Sequence, residues 1–193
     1  MRVGVLALQG AFIEHLKSLR ALEVDGIEVR TAEELSTVDA LIIPGGESTT
    51  IGKLMVRFDL VEPLLARARE GMPVWGTCAG MILLAREIAD GLPGQLALGL
   101  LDATVQRNAF GRQVDSFIAP LDVPAAVGEK SFPAYFIRAP LALQWGSQVK
   151  VLARHGGQAV ALRQGSVLAT SFHPELSGDN RFHRYFVEQF TRE

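Results

Sequence analysis

The sequence predicts a three-layer α/β fold: an open, mostly parallel sheet with helices on both faces and antiparallel additions. Three observations point there. Short apolar runs such as VGVLAL near the start and ALII at Ala40–Ile43 lack polar alternation, as strands covered on both faces must. In the first half these runs alternate with segments of helical periodicity, the pattern of βαβ units. In the second half the helical segments give way to closely spaced, strand-like runs between turn residues.

Residues 2–8 read as the first buried strand, and Phe12, Leu16 and Leu19 fall on one face of the helix that follows. Residues 27–30 and Ala40–Ile43 are the next strands, the second stopped by Pro44-Gly45-Gly46. Ser48 or Thr49 is placed to cap a helix running to about Phe58, and residues 61–70 form another. Residues 73–76 make a brief apolar strand. Met81, Leu84, Ala85 and Ile88 then recur at helical spacing, predicting a helix that continues through Ile88. Residues 103–106, 114–119, 134–137, 149–154, 159–163 and 167–172 read as short strands, and Phe182, Phe186 and Phe190 mark a last helix.

The 193 residues suffice for one well-buried domain spanning 1–193 and are few for two. With 48% hydrophobic and 21% charged residues the composition is that of an ordinary globular chain, neither disordered nor coiled coil. Nineteen Lys and Arg against 21 Asp and Glu leave a net charge of −2, so no broad cationic field exists to attract nucleic acid or an anionic membrane. The first apolar run is broken at Gln9 and lacks a cleavage pattern, and no apolar stretch is long enough for a membrane span. A single cysteine forms no internal disulfide, making the reducing cytoplasm the expected compartment. The four histidines show no metal-ligand spacing with one another or with Cys78, so no metal is expected.

Three segments carry chemistry. Gly76-Thr77-Cys78-Ala79-Gly80 lies between a strand and a helix and has the form of a nucleophile elbow with cysteine at its apex. Flanking glycines permit the sharp turn, the helix N-terminus favours thiolate, and the Ala79 N–H is placed to stabilise an oxyanion. Ser171-Phe172-His173-Pro174-Glu175 supplies a base: a strand ending at Phe172 delivers His173 to the carboxyl edge of the sheet. Glu175, two residues on, can accept from the imidazole and fix its tautomer. His15 and His183, on helices, and His155, beside a Gly-Gly turn, receive plain structural readings. Pro44-Gly45-Gly46-Glu47-Ser48 follows a strand and precedes a helix. Its continuation to Lys53 fails as a phosphate-binding loop, because Glu47 stands where a glycine is required and Leu54 where Ser or Thr is required. A loop that completes the oxyanion hole is the better reading.

PGGES, GTCAG and SFHPE, in this order and at these separations, resemble the class I (triad) glutamine amidotransferases, a flavodoxin-like fold. More narrowly, GVLALQGAFIEH, PGGESTT, RNAFGRQVDSF and FIRAP are similar to signatures of the glutaminase subunits of pyridoxal 5′-phosphate synthase. The resemblance covers residues 2–190. It implies Cys78 as nucleophile with His173 and Glu175 completing a triad, acting on L-glutamine without a cofactor. It implies Gly46, Glu47 and Ser48 in the glutamine site, Arg107 and the pair Ile137 and Arg138 on the substrate's amino-acid end, and backbone donors at Gly46 and Ala79 for the oxyanion. It places Gln9 and Gly10 near that oxyanion region, where they are expected to respond to a partner. Since one glutaminase domain uses up this length, the ammonia-consuming activity is expected on a separate (β/α)₈-barrel synthase subunit.

Overall fold

The computed structural model describes residues 1–107, 109 and 116–190, with the side chain of Phe190 excepted. Most of the RNAFGRQVDSF segment, the first residues of the strand expected at 114–119, and the Phe190 side chain therefore lie outside the described residues.

A seven-stranded sheet forms the centre, built from β1 (Arg2–Leu6), β2 (Asp25–Val29), β3 (Ala40–Ile43), β4 (Val74–Thr77), β10 (Lys150–His155), β11 (Gln158–Gln164) and β12 (Val167–Thr170). Its order is β10-β11-β12-β4-β3-β1-β2. Strands β2, β1, β3, β4 and β12 run parallel, and β11 and β10 extend the edge by antiparallel pairing. The apolar runs are explained by this position. In β3, Leu41 and Ile43 feed the core on one face while Ala40 and Ile42 feed the other, all without exposure.

One face is covered by α2 (Ala32–Ser36), α3 (Ser48–Arg57), α4 (Val61–Arg69) and α5 (Ala79–Leu84), which bring Leu35, Ile51, Met55 and Leu64 into the core. The other carries α1 (Phe12–Ala21) and α6 (Arg181–Phe190), whose Leu19, Phe182 and Phe186 pack there. Phe182 meets Phe172 and Phe132 edge to face, with ring centroids 5.2 and 4.8 Å apart. An antiparallel ribbon of β7 (Ser116–Leu121) and β8 (Phe132–Ile137) joins this layer, and β5 (Ala85–Ile88), β6 (Leu101–Gln106) and β9 (Leu141–Trp145) form a separate sheet.

Two expectations change. The helix after Cys78 ends at Leu84 rather than continuing through Ile88: Ala85 turns to ψ 151°, and Ala85–Ile88 becomes β5, paired in parallel with β6. The helical spacing of Ala85 and Ile88 is real, but backbone pairing with β6 decides the conformation, and a six-residue helix carries less dipole at Cys78 than the longer one expected. The cap of α3 is the Glu47 carboxylate, accepting from the N–H groups of Thr49 and Thr50, and not Ser48 or Thr49. Helix α2 and strands β5 and β9 have no counterpart in the sequence reading. For α2 a signal was present, because Thr31 and Glu34 form a reciprocal capping box.

Candidate functional site

Four strands end at one place. Beyond the carboxyl ends of β1, β3, β4 and β12 lie Gln9 and Gly10, Gly45 and Gly46, Cys78, and His173, at the edge where open α/β sheets bind ligands. A cleft of about 580 Å³ opens there. Its lining contains Gly46, Glu47, Ser48, Cys78, Ala79, Arg107, Ile137, Arg138 and His173, so of the expected site residues only Glu175 sits behind the wall. Among the described residues no three His, Cys, Asp or Glu side chains converge as metal ligands would.

Cys78 sits at the apex with φ +48° and ψ −103°, a backbone state that a residue with a side chain adopts only under constraint from its surroundings. The constraint is close packing on both sides. A Cβ at Gly76 would strike the backbone of Gly80, and one at Gly80 would strike the Ile43 carbonyl, so only glycine lets β3, the turn and α5 approach this closely. The Cys78 N–H donates to the Thr170 carbonyl at 2.8 Å, tying the apex to β12, and its Sγ lies 3.8 Å from the Ile137 carbonyl at the end of β8.

His173 is fixed from both ends. Its N–H donates to the Tyr135 carbonyl at 2.8 Å, and its Nδ1 meets Glu175 Oε1 at 2.7 Å. The turn Pro174–Leu176 brings that carboxylate back against the ring. Burial alone would lower the imidazole's pKa, but the hydrogen bond and charge of Cys78, together with those of Glu175, raise it to about 10. Burial works against ionisation of Glu175 as well; the neighbouring His15 imidazole, together with the charge and hydrogen bond of His173, outweighs it and holds the carboxyl below its ordinary range. Cys78 and His173 both border Gly45 at the cleft, and Glu175 backs His173 from the interior.

Gly45 closes the site on its open side. A Cβ there would collide with His173 Cε1 and come within 2.9 Å of Nδ1 and 3.3 Å of the Cys78 Cβ. Gly45→Ala is therefore expected to push the imidazole off the sulfur and lower turnover by about a hundredfold, the scale of a 1 Å misplacement. Turnover of the variant at the wild-type rate would remove steric confinement from the account.

The remaining residues divide by what their side chains touch. The Glu47 carboxylate is engaged as the α3 cap, bonding Thr50 Oγ1 as well, and despite its partial burial these bonds lower its pKa to about 2. What Glu47 turns toward Gln9 is its backbone N–H, which donates to Gln9 Oε1 at 2.8 Å. The Ala11 N–H donates to the Gly45 carbonyl at 2.9 Å, so the Gln9–Ala11 turn and the Gly45–Glu47 loop form one unit. Arg138 has φ +44°, a second constrained residue at the rim. Arg107 donates to Gln95 Oε1 at 2.7 Å, and Gln95 Nε2 donates to Ser48 Oγ at 3.1 Å. Gln95 thereby joins two site residues. It was missed because the loop between β5 and β6 carries no motif, and only its path past α3 makes the contact.

Comparison with known proteins accords with this geometry. A family model described as the SNO glutamine amidotransferase family matches residues 5–192. The chain belongs to that family. Among curated relatives, "Pyridoxal 5'-phosphate synthase subunit PdxT" of Herpetosiphon aurantiacus is 63% identical over 97% of this chain and 99% of its own. The protein of the same name from Pelotomaculum thermopropionicum is 59% identical over 100% and 96%. A solved structure titled "Crystal structure of glutamine amidotransferase" aligns with a TM-score of 0.90 at 53% identity, covering 96% of this chain and 97% of that one. PurLQS from Thermotoga maritima, at 17% identity and a TM-score of 0.71, shares the fold. The class I glutamine amidotransferase architecture expected from PGGES, GTCAG and SFHPE is the one observed.

The ionisable groups of this amidotransferase set opposite pH trends. His15 and His183 are buried, and desolvation lowers both below 6.5. They are neutral in the folded state and protonated sooner in the unfolded chain, so stability falls as pH drops through about 6.5. Glu175, held low when folded, adds a loss that begins below its ordinary value of 4.5. His173, raised when folded, stabilises fully below 6.5 and loses that contribution as pH rises toward about 10. The melting temperature is expected to peak near neutrality and fall both toward about pH 5 and toward about pH 10. A thermal-denaturation series that stayed flat on the acid side would contradict burial of two neutral histidines.

Proposed function

We propose that this chain is the glutaminase subunit of a pyridoxal 5′-phosphate synthase, hydrolysing L-glutamine to glutamate and ammonia and passing the ammonia to a separate (β/α)₈-barrel subunit. The observation that carries the reading is Cys78 and His173, the latter backed by Glu175, at a cleft that also holds Arg107, Ser48 and the Gly46 loop. The names of the PdxT relatives support the synthase assignment.

The chemistry follows from the parts. Cys78 Sγ, as thiolate beside imidazolium, attacks the side-chain carboxamide carbon, and N–H groups of Ala79 and Gly46 hold the oxyanion. His173 gives its proton to the departing nitrogen, the C–N bond breaks, and ammonia leaves a γ-glutamyl thioester on Cys78. His173 then takes a proton from water, the hydroxide adds to the thioester carbon, and the C–S bond breaks to release glutamate and restore the thiolate. No group outside the chain is consumed except glutamine and water. Arg107 and Arg138 bind the α-carboxylate end, Arg107 held in place by Gln95; a planar guanidinium suits a carboxylate because it donates two parallel hydrogen bonds. Ile137 packs beside the substrate, and Glu47 contributes its backbone while its carboxylate caps α3.

One glutaminase domain over 1–193, acting in the cytoplasm, contacts neither nucleic acid nor membrane; among the described residues no helix is long and apolar enough to cross a bilayer. Docking of the barrel acts through the Gln9–Ala11 turn, whose bonds to Gly45 and Glu47 link it to the oxyanion loop. The test is glutamate release by the purified chain with and without its cognate synthase. Strong stimulation is expected. Absence of release under both conditions would overturn the reading.

A further inference from the structure

Behind the cleft lies a second cluster of ionisable groups that the chemistry above does not use. His15 on α1 and His183 on α6, 168 residues apart in sequence, meet through a 2.9 Å hydrogen bond between His15 Nδ1 and His183 Nε2. Neither ring has any exposure. The other nitrogen of His15, Nε2, lies 3.2 Å from Thr77 Oγ1 and 3.5 Å from Glu175 Oε2. Trp75 stands edge-on to both rings, with centroids 5.7 Å from His15 and 4.9 Å from His183. Two buried polar atoms in this cluster have no hydrogen bond among the described residues: Glu175 Oε2 and His183 Nδ1.

The tautomers follow from those two atoms. If His15 carried its proton on Nδ1, its Nε2 lone pair would face the Glu175 carboxylate, and His183 would bury an N–H at Nδ1 with nothing to accept it. Both arrangements are unfavourable. If His183 donates from Nε2 to His15 Nδ1, then His15 carries its proton on Nε2, aimed at the carboxylate side, and the orphan on His183 is a lone pair. That assignment removes both penalties at once.

We propose that His15, locked in this tautomer by His183, is a positioning residue that holds the Glu175 carboxylate against His173. The proposal rests on the glutaminase reading for its kinetic consequence and on geometry alone for its structural one. Glu175 Oε1 is taken by His173; Oε2 is the free end about which the carboxylate could rotate, and the Nε2–H of His15 is the donor facing it. The groups around His15 are His183 from α6, Thr77 from β4, Glu175 and His173 from the turn after β12, and Glu14 on its own helix. Of these, only Glu175 and Glu14 bring negative charge.

The experiment reads Cys78 directly. The rate of alkylation by iodoacetamide against pH reports the thiolate that His173 sustains and needs no turnover of glutamine. His15→Leu removes the donor: the acid limb of that profile is expected to move up by about one pH unit. With the cognate synthase present, kcat for glutamate release is expected to fall about ten- to a hundredfold with KM within about twofold, since the glutamine site is untouched. His15→Gln keeps an N–H donor in the same place and is expected to recover most of both losses. A folded His15→Leu variant with a wild-type acid limb would overturn the proposal, and so would a folded His15→Gln variant no better than His15→Leu. If His15→Leu does not fold, His183→Phe decides: it preserves ring volume and removes the tautomer lock, so a smaller shift in the same direction is expected, and an unchanged profile overturns. Wild-type protein that releases no glutamate would fail the functional reading, while the alkylation profiles would still decide the role of His15.

Discussion

Replacing Cys78 with alanine is expected to lower glutamate release by about ten-thousandfold or more while glutamine binding and docking to the synthase persist. The loss is large because, in the proposed mechanism, the sulfur is the atom that forms the bond to the carboxamide carbon; without it, His173 and the oxyanion donors would have only water to work with. Folding is spared for a local reason. Alanine carries the same Cβ as cysteine, so the φ of +48° is no more strained, and the glycines at 76 and 80 still accommodate the turn. Coupled assay of glutamate, with titration of glutamine binding, checks both halves. Glutamate release at the wild-type rate would remove Cys78 as nucleophile.

Glu175→Gln is the second variant with a large expected effect, about ten-thousandfold in kcat, the scale seen when the carboxylate of a Ser-His-Asp triad becomes an amide. Two losses combine. The amide carries no charge to stabilise the imidazolium, and its orientation is biased the wrong way. With a donor from His15 facing one end, the amide settles with its oxygen there and its NH₂ toward His173 Nδ1. His173 then holds its proton on Nε2, facing Cys78, and cannot accept one. KM for glutamine stays near wild type, because Glu175 lies outside the cleft. A kcat within tenfold of wild type would show that the carboxylate neither orients nor charges His173.

How much of this was legible in the sequence depends on whether a feature is local. The elbow at Cys78, the Pro44–Ser48 turn and the His173–Glu175 pair are set by residues adjacent in sequence, and the apolar strands that deliver them read clearly because both faces are covered. Together they point to the carboxyl edge of the sheet, where the Pro44–Ser48 loop, Cys78, Ala79 and His173 line the cleft; Arg107, Ile137 and Arg138, which line it too, are reached only through the family resemblance. Ala85–Ile88 misled because four residues with apolar ends fit helix and strand equally, and pairing with β6 chose between them. The two histidines are a harder case. His15 falls between Phe12 and Leu19 on the inward face of α1, and His183 lies three residues before Phe186, so their burial was readable. Their encounter was not, because it depends on how α1 and α6 pack side by side on the same face of the sheet. Gln95 is similar: a loop residue whose partners, Arg107 and Ser48, are chosen by the path of the chain.

The central claim is that Cys78 carries the glutamyl group. It is tested most directly by mixing the chain and its cognate synthase with glutamine, quenching in acid during turnover, and determining the mass of the peptide that contains Cys78. The expected result is that peptide increased by one γ-glutamyl group, an adduct that hydroxylamine removes and that is absent from Cys78→Ala. A quenched sample in which glutamate has formed while Cys78 is unmodified at every time point would contradict it.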